Sequence, residues 1–322
     1  MTGAIRKLPI VILYPHSRCN CRCIMCDIWK DSGCREMSTG DLNRHLADFE
    51  KLSVEWVVLS GGEPLMHSDL FRFCGLLRER RMRVTVLTTG LLLERYAARL
   101  AGAIDDLIVS LDGPPAVHDR IRRVPGAFAQ LARGVEAIHR ARREMPIAAR
   151  TTVQRENYQH LRETAQTAKA LGLESISFLA VDLTSQAFNR PEPWTAARQA
   201  EVALMESELT LLDRELEALI SEWGDSRFLR ESPQKLKRIA LHFRAHLGLA
   251  EPAAPPCNAP WISAVVEADG TVRPCFFHAP IGRTNGSSLL DVLNGPQALA
   301  FRAGLNIAAN PICRRCVCSL YR

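Results

Sequence analysis

Nowhere in its 322 residues does the chain hold an apolar run long enough to span a bilayer. The run near its start, Leu8 to Tyr14, follows Arg6 and Lys7 but is also too short for a secretion signal with its cleavage site. No membrane association is expected, and the cytoplasm is the expected compartment. Basic residues are not gathered into a tract: 41 Lys and Arg against 35 Asp and Glu leave a net charge of +6, spread along the chain. That spread removes the usual footprint of nucleic-acid binding and leaves anionic substrates or an acidic protein partner compatible with the charge. No internal repeat is visible beyond an alternation of strand and helix patterns.

What the chain does hold is cysteine. Of eleven, nine fall into two groups near opposite ends, and only Cys34 and Cys74 stand alone. Without an export signal, such grouping reads as metal binding rather than disulfide bonding. In the first group Cys19, Cys23 and Cys26 stand in a C-x3-C-x2-C spacing. Three thiolates can ligate three irons of a 4Fe-4S cluster and leave the fourth open to a ligand. The alternative is a structural zinc site, which requires four ligands closed around one ion. Cys21 falls out of the spacing and is read as a small buried hydrophobe.

With 47% apolar residues the chain can bury a substantial core, and its length favours a main domain with a smaller one appended. Short β-rich runs at 9–14, 55–60, 83–88, 106–111, 147–153 and 174–181 alternate with helical patterns at 39–51, 69–81, 93–101, 127–143 and 158–171. Strands separated by helices imply parallel β/α units, six of them, fewer than the eight of a closed barrel. A long amphipathic segment runs from Trp194 to Trp223, and Ser232-Pro233 and Gly248 bound a further helix over 233–247. The Pro- and Ala-rich tract 250–256 reads as a linker. The expected divisions are therefore 1–190, 191–256 and 257–322.

The cysteine spacing resembles the signature of the radical S-adenosylmethionine (SAM) superfamily, although Met25 stands where that family usually has an aromatic residue. The resemblance implies an open, partial (β/α)6 TIM-like barrel of the α/β class, with a cluster whose open iron binds SAM. Gly61-Gly62-Glu63-Pro64, at the end of the second strand run, resembles the family's GGE motif. By that resemblance Gly61, Gly62 and Glu63 bind the methionyl end of SAM, with the Glu63 carboxylate taking its ammonium group. The segment Ser110-Leu111-Asp112-Gly113 through Arg122 resembles the family segment after the fourth strand. It implies that Ser110 and Arg122 help to hold SAM's carboxylate and ribose region, whereas a surface ion pair is the plainer reading of Arg122. Thr89 stands where many relatives have Asn. His16, His67 and His278 read as hydrogen-bonded loop residues, and Asp182 as a contact at the barrel mouth.

At the other end Cys257 and Cys275 flank an expected hairpin that turns at Asp269-Gly270, and Cys313 and Cys316 form a C-x2-C pair. Four cysteines also describe a zinc site. The run resembles the Twitch form of the SPASM extension, an α+β domain with one auxiliary 4Fe-4S cluster, with Cys257, Cys275, Cys313 and Cys316 as ligands. Cys318 is a spare thiol or alternative ligand. Because only four residues follow Cys318, a second auxiliary cluster is not expected.

The expected activity is reductive cleavage of SAM to a 5′-deoxyadenosyl radical that abstracts hydrogen from a small substrate of the sugar or aminocyclitol kind, ending in oxidation, epimerisation or rearrangement. Maturation of a peptide or protein side chain is the second reading, and a non-enzymatic iron–sulfur or zinc protein the third. A flavodoxin- or ferredoxin-like protein is the electron donor the resemblance implies.

Overall fold

The computed structural model describes residues 3–31, 33–190 and 192–321. Pro191, where the expected helical segment begins, lies outside them.

Six parallel strands follow in order: β1 (Ile10–Leu13), β2 (Trp56–Leu59), β3 (Arg83–Thr88), β4 (Asp106–Ser110), β5 (Ile147–Val153) and β6 (Ser175–Ala180). Each is Val/Ile-rich or apolar at alternate positions, which suits a pleated surface covered on one face. The crossovers are α1 (Thr39–Lys51), α2 (Leu70–Glu79), α3 (Leu93–Ala103), α4 (Pro115–Arg122) with α5 (Ala127–Ala141), and α6 (Leu161–Ala170). Helix α1 starts on a Ser38 and Asp41 capping box, the start its sequence implies. Helix α4 escaped the sequence reading, because eight residues beginning at Pro115 give too short a periodic stripe.

Odd-numbered residues of β1 and β2, including Val11, Leu13, Val57 and Leu59, pack outward into the helix-side core. Even-numbered ones, Ile10, Ile12, Trp56 and Val58, point into the lumen and cluster there with Val265 and Phe276. Side-chain alternation thus divides the core into two layers, with the sheet between them.

The expected single helical segment 194–223 is broken. Helices α7 (Ala196–Val202) and α8 (Leu209–Trp223) are separated by extended residues and a 3-10 turn at Glu206–Glu208. Arg155 holds the break: its N–H donates to the Val202 carbonyl and its guanidinium pairs with Glu208 at 3.1 Å. Helix α9 (Pro233–His246) ends with Gly248 at φ +75°, the left-handed conformation that glycine tolerates.

The C-terminal hairpin turns at Asp269-Gly270 as expected, joining β7 (Ser263–Val266) to β8 (Thr271–Arg273), with a short β9 (Gly282–Arg283) beyond. What sequence did not reveal is that β7 pairs in parallel with β1, Ile10 against Ser263 through Leu13 against Val266. One nine-stranded sheet results, ordered β6-β5-β4-β3-β2-β1-β7-β8-β9, so the cysteine-bearing extension continues the barrel sheet. The sheet does not close; β6 and β9 are its edges. Among the described residues, no helix is long and apolar enough to cross a membrane.

Candidate active site

The loop after β1 carries Cys19, Cys23 and Cys26 across the C-terminal ends of the strands, where side chains from several β/α units converge. Two backbone hydrogen bonds dock it on α4, from Arg22 N to Arg122 O at 3.1 Å and from Ile24 N to Ile121 O at 3.0 Å. The loop after β2 packs against it so closely that a Cβ on Gly62 would lie 1.9 Å from the Arg18 carbonyl oxygen. Gly61 has φ +99°, and its Cβ would meet the Tyr14 ring. Both glycines are therefore required by the approach of two backbones. Above them opens a cleft of about 100 Å³, walled in part by His16, Phe188, Glu267 and Phe276.

The three expected ligands lie close enough to influence each other's ionisation. Burial pushes Cys19 and Cys26 up to about 12, and in each case the neighbouring Cys23 adds to the rise. Cys23 goes the other way, to about 7, because the Cys21 thiol donates a hydrogen bond to it and Arg122 stands beside it. Cys21 is buried, and its thiol donates to Cys23. All eleven cysteines are free thiols. Among the described residues, no three Cys, His, Asp or Glu side chains converge as ligands of a single ion. Three soft donors on one loop, with an arginine beside them, suit an anionic iron–sulfur cluster of larger girth.

Arg122 proves to be neither a surface pair nor an uncommitted clamp. It is 7% exposed, pairs with the fully buried Asp112 at 2.5 Å, and places Nη1 3.5 Å from Cys23 Sγ. Ser110 ends β4, buried, in register with Arg150 of β5.

Glu63 is held on every side by its neighbours. Its carboxylate points inward and is fully buried, accepting from Leu65 N, Thr88 Oγ1, Thr89 N and Thr89 Oγ1 at 2.7 to 3.0 Å. Both oxygens are engaged by these donors. Glu63 meets the site through its backbone: its N–H donates to Arg18 O at 2.9 Å, and its carbonyl lies 2.5 Å from His16 Nε2. Thr89 Oγ1 also lies 3.0 Å from the Asn20 side-chain amide of the cysteine loop, so this cluster ties β2, β3 and the loop together. Burial raises the Glu63 pKa, and the four donors oppose the rise. Glu63→Gln would set an amide NH2 against these donors, at a cost of about 1–3 kcal/mol for the unpaired buried groups. The expected result is a lower Tm together with weaker SAM binding through the displaced loop. A variant melting with the wild type would exclude the clamp.

Asp182 is likewise committed. It pairs with the buried Arg190 at 2.6 Å and accepts from Ser185, so it does not project into the mouth as expected. Arg190 also donates to Met25 O at 3.3 Å and stacks 3.7 Å over Trp194, whose Nε1 donates to Asp27 at 2.6 Å. These residues fasten the segment after β6 onto the far side of the cysteine loop. Sequence gave no local sign of them, because the contacts span more than 160 positions.

The expected histidines are buried and hydrogen-bonded. His67 Nε2 meets Met37 O at 2.9 Å. His278 has a partner that sequence missed, the Cys313 thiol at 3.3 Å from Nε2.

Cys257, Cys275, Cys313, Cys316 and Cys318 all line one cavity of about 230 Å³. Burial holds Cys275 and Cys313 up at about 11, and the neighbouring cysteines raise both further. The same cavity is bounded by the lumen faces of the barrel strands, including Ile12, Trp56, Val58, Leu87, Ile108 and Arg150. The four expected auxiliary ligands are therefore together, and they face the barrel interior.

An open parallel half-barrel with a thiolate loop at its strand ends and a second thiolate set facing its lumen defines an iron–sulfur enzyme. Residues 13–168 match the family model described as the Radical SAM superfamily, and residues 257–317 match the SPASM model, an iron-sulfur cluster-binding domain. The chain thus carries a radical SAM domain and a C-terminal SPASM iron-sulfur domain. Its cofactors are accordingly a 4Fe-4S cluster, SAM and an auxiliary iron–sulfur cluster.

An AdoMet-dependent heme synthase of Methanosarcina barkeri is 31% identical over 159 residues, 48% of this chain and 45% of that protein. A pre-heme d1 synthase of Dinoroseobacter shibae is 29% identical over 170 residues, 52% of this chain and 42% of that protein. The match thus spans less than half of each curated relative. In fold, the chain resembles SuiB of Streptococcus suis, solved with S-adenosylmethionine, at a TM-score of 0.70 and 13% identity over 99% of this chain and 74% of that one. It also resembles anSMEcpe with bound AdoMet, at 0.65 and 17% over 95% and 88%.

Proposed function

We propose that this protein cleaves SAM reductively and abstracts hydrogen from a small substrate held in the barrel lumen, between the Cys19, Cys23 and Cys26 loop and the C-terminal cysteines. The observation that carries the reading is the shared cavity, which puts barrel lumen and auxiliary cysteines around one volume. When bound, the cluster and SAM supply an electron and a 5′-deoxyadenosyl radical, chemistry that belongs to the cofactors.

The chain's own residues position and enclose. Gly61 and Gly62 bring the second loop against the cysteine loop, and Ser110 and Arg122 are the residues proposed to help hold SAM's carboxylate and ribose region. Arg122 places positive charge beside Cys23, and the Arg190 and Trp194 clasp holds the loop from the other side. The lumen walls exclude water, which limits side reactions of a reactive intermediate. With full cysteine ligation the auxiliary site offers no open position to a substrate, and electron exchange with it fits a redox outcome. An acidic protein of the flavodoxin or ferredoxin type is the proposed donor.

The lumen lining favours a molecule with an apolar body over the sugar or aminocyclitol expected from sequence, whose hydroxyls would find few partners there. Curated relatives are named as synthases of heme and of pre-heme d1, so a heme precursor is compatible with this reading. SuiB was also solved with a precursor peptide, so a peptide side chain reaching into the lumen is the second reading.

The test is anaerobic reconstitution followed by SAM and dithionite. Release of 5′-deoxyadenosine is expected; a fully reconstituted protein that releases none is a binding or electron-transfer protein instead.

A further inference from the structure

Arg150 lies at the middle of β5, where burial alternates residue by residue, and its side chain lines the lumen cavity. Its register neighbours are Ser110 on β4 and Ser177 on β6. Its Nε is buried and has no hydrogen-bond partner, and among the described residues no carboxylate lies within 4.0 Å of its guanidinium. Arg150 is half-buried, whereas the deeply buried arginines each have a partner elsewhere on the guanidinium, even where, as in Arg122 and Arg190, Nε is also unpartnered. Arg122 has Asp112, Arg190 has Asp182, and Arg302 donates to the Gly3 and Leu293 carbonyls. The carboxylate that shares the cavity, Glu231, is already engaged by Ser177 Oγ at 2.8 Å, Phe178 N at 2.9 Å and Lys235 at 3.7 Å.

A guanidinium N–H buried without an acceptor is costly, because its hydration is lost and nothing replaces it, and at Arg150 that N–H is Nε. Its planar fork of donors fits a carboxylate in two parallel hydrogen bonds. We infer that Arg150 binds a carboxylate group of the substrate inside the lumen and so sets which end of an apolar molecule enters. The inference rests on the proposed placement of the substrate in this cavity.

Two molecules could bring the carboxylate: the substrate, or SAM through its methionyl end. The cavity that Arg150 lines is bounded by Leu87, Ile108 and the C-terminal cysteines. It includes neither Gly61 and Gly62 nor any of Cys19, Cys23 and Cys26, which favours the substrate.

The test uses the reconstituted full chain and two probes of one shape, 2-naphthoate and the neutral 2-naphthamide, with binding measured by calorimetry and SAM affinity measured in parallel. Wild type is expected to prefer the carboxylate at least about tenfold, as one charge-assisted hydrogen-bonded pair implies. Arg150→Gln should erase that preference while SAM affinity stays within about twofold, a change worth under about 0.5 kcal/mol. Should the Gln variant lose iron, Arg150→Lys carries the test; it keeps the charge but loses the fork, and a reduced preference is expected. Equal binding of the two probes by wild type would overturn the inference. So would a preference that survives in Arg150→Gln while SAM binding collapses, which would give the guanidinium to SAM. Because 5′-deoxyadenosine release is measured separately, wild type that cleaves SAM yet ignores the carboxylate sinks this assignment alone.

Discussion

Replacing Cys19, Cys23 and Cys26 together by Ala is expected to abolish SAM cleavage and to remove about half of the roughly eight irons of two 4Fe-4S clusters. In this proposal the loop supplies all three protein ligands of the first cluster, and contacts that do not involve the three thiols also hold it in place. Backbone bonds to Arg122 and Ile121, the Arg18 contact with Glu63 and the Arg190 clasp remain when the sulfurs are gone. The barrel should therefore stay folded, and the auxiliary site should keep its iron. Iron analysis and 5′-deoxyadenosine release read the two effects separately. Persistent SAM cleavage in the triple variant would move the active cluster elsewhere.

Thiol ionisation gives this site a pH dependence. Cys19 and Cys26 are held at about 12 by burial and must lose protons to bind iron. Reconstitution at this site should accordingly become faster as pH rises from 7 to 9, with Cys23, at about 7, engaging first.

Local features made much of this molecule legible. The strand runs, the glycine pair and the cysteine spacing are short patterns, and the helices α1, α5 and α9 start or end on residues whose chemistry marks a boundary. Long-range pairings carried no such mark. The parallel contact of β7 with β1 joins segments about 250 residues apart, and four apolar residues read alike beside any neighbour. Asp182 looked available because a carboxylate at a strand end usually faces the mouth, and only the fold reveals Arg190 beside it. The donors that Glu63 collects from Thr88 and Thr89 of the next strand end were hidden for a related reason.

The C-terminal cysteines admit an equally large effect with the opposite signature. A Cys316/Cys318 double Ala variant is expected to lose turnover of the lumen substrate, read as substrate-dependent SAM consumption, while keeping uncoupled SAM cleavage, because the ligands of the first cluster are untouched. The double variant is the cleaner test. Cys318 lines the same cavity and its carbonyl lies 2.9 Å from Cys316 Sγ, so in a single Cys316→Ala variant its thiol is near enough to take over the ligand position. Cys318→Ala alone should retain about eight irons if that thiol is spare. His278 offers a further check, since its ring lies 3.3 Å from Cys313 Sγ and its removal should shift the reduction potential of the auxiliary site more than its iron content. Metal analysis finding one zinc and only about four irons in wild-type protein prepared anaerobically would reverse the assignment. The extension would then act as a structural clasp continuing the barrel sheet through β7, and the redox partner of the substrate would have to be sought outside this chain.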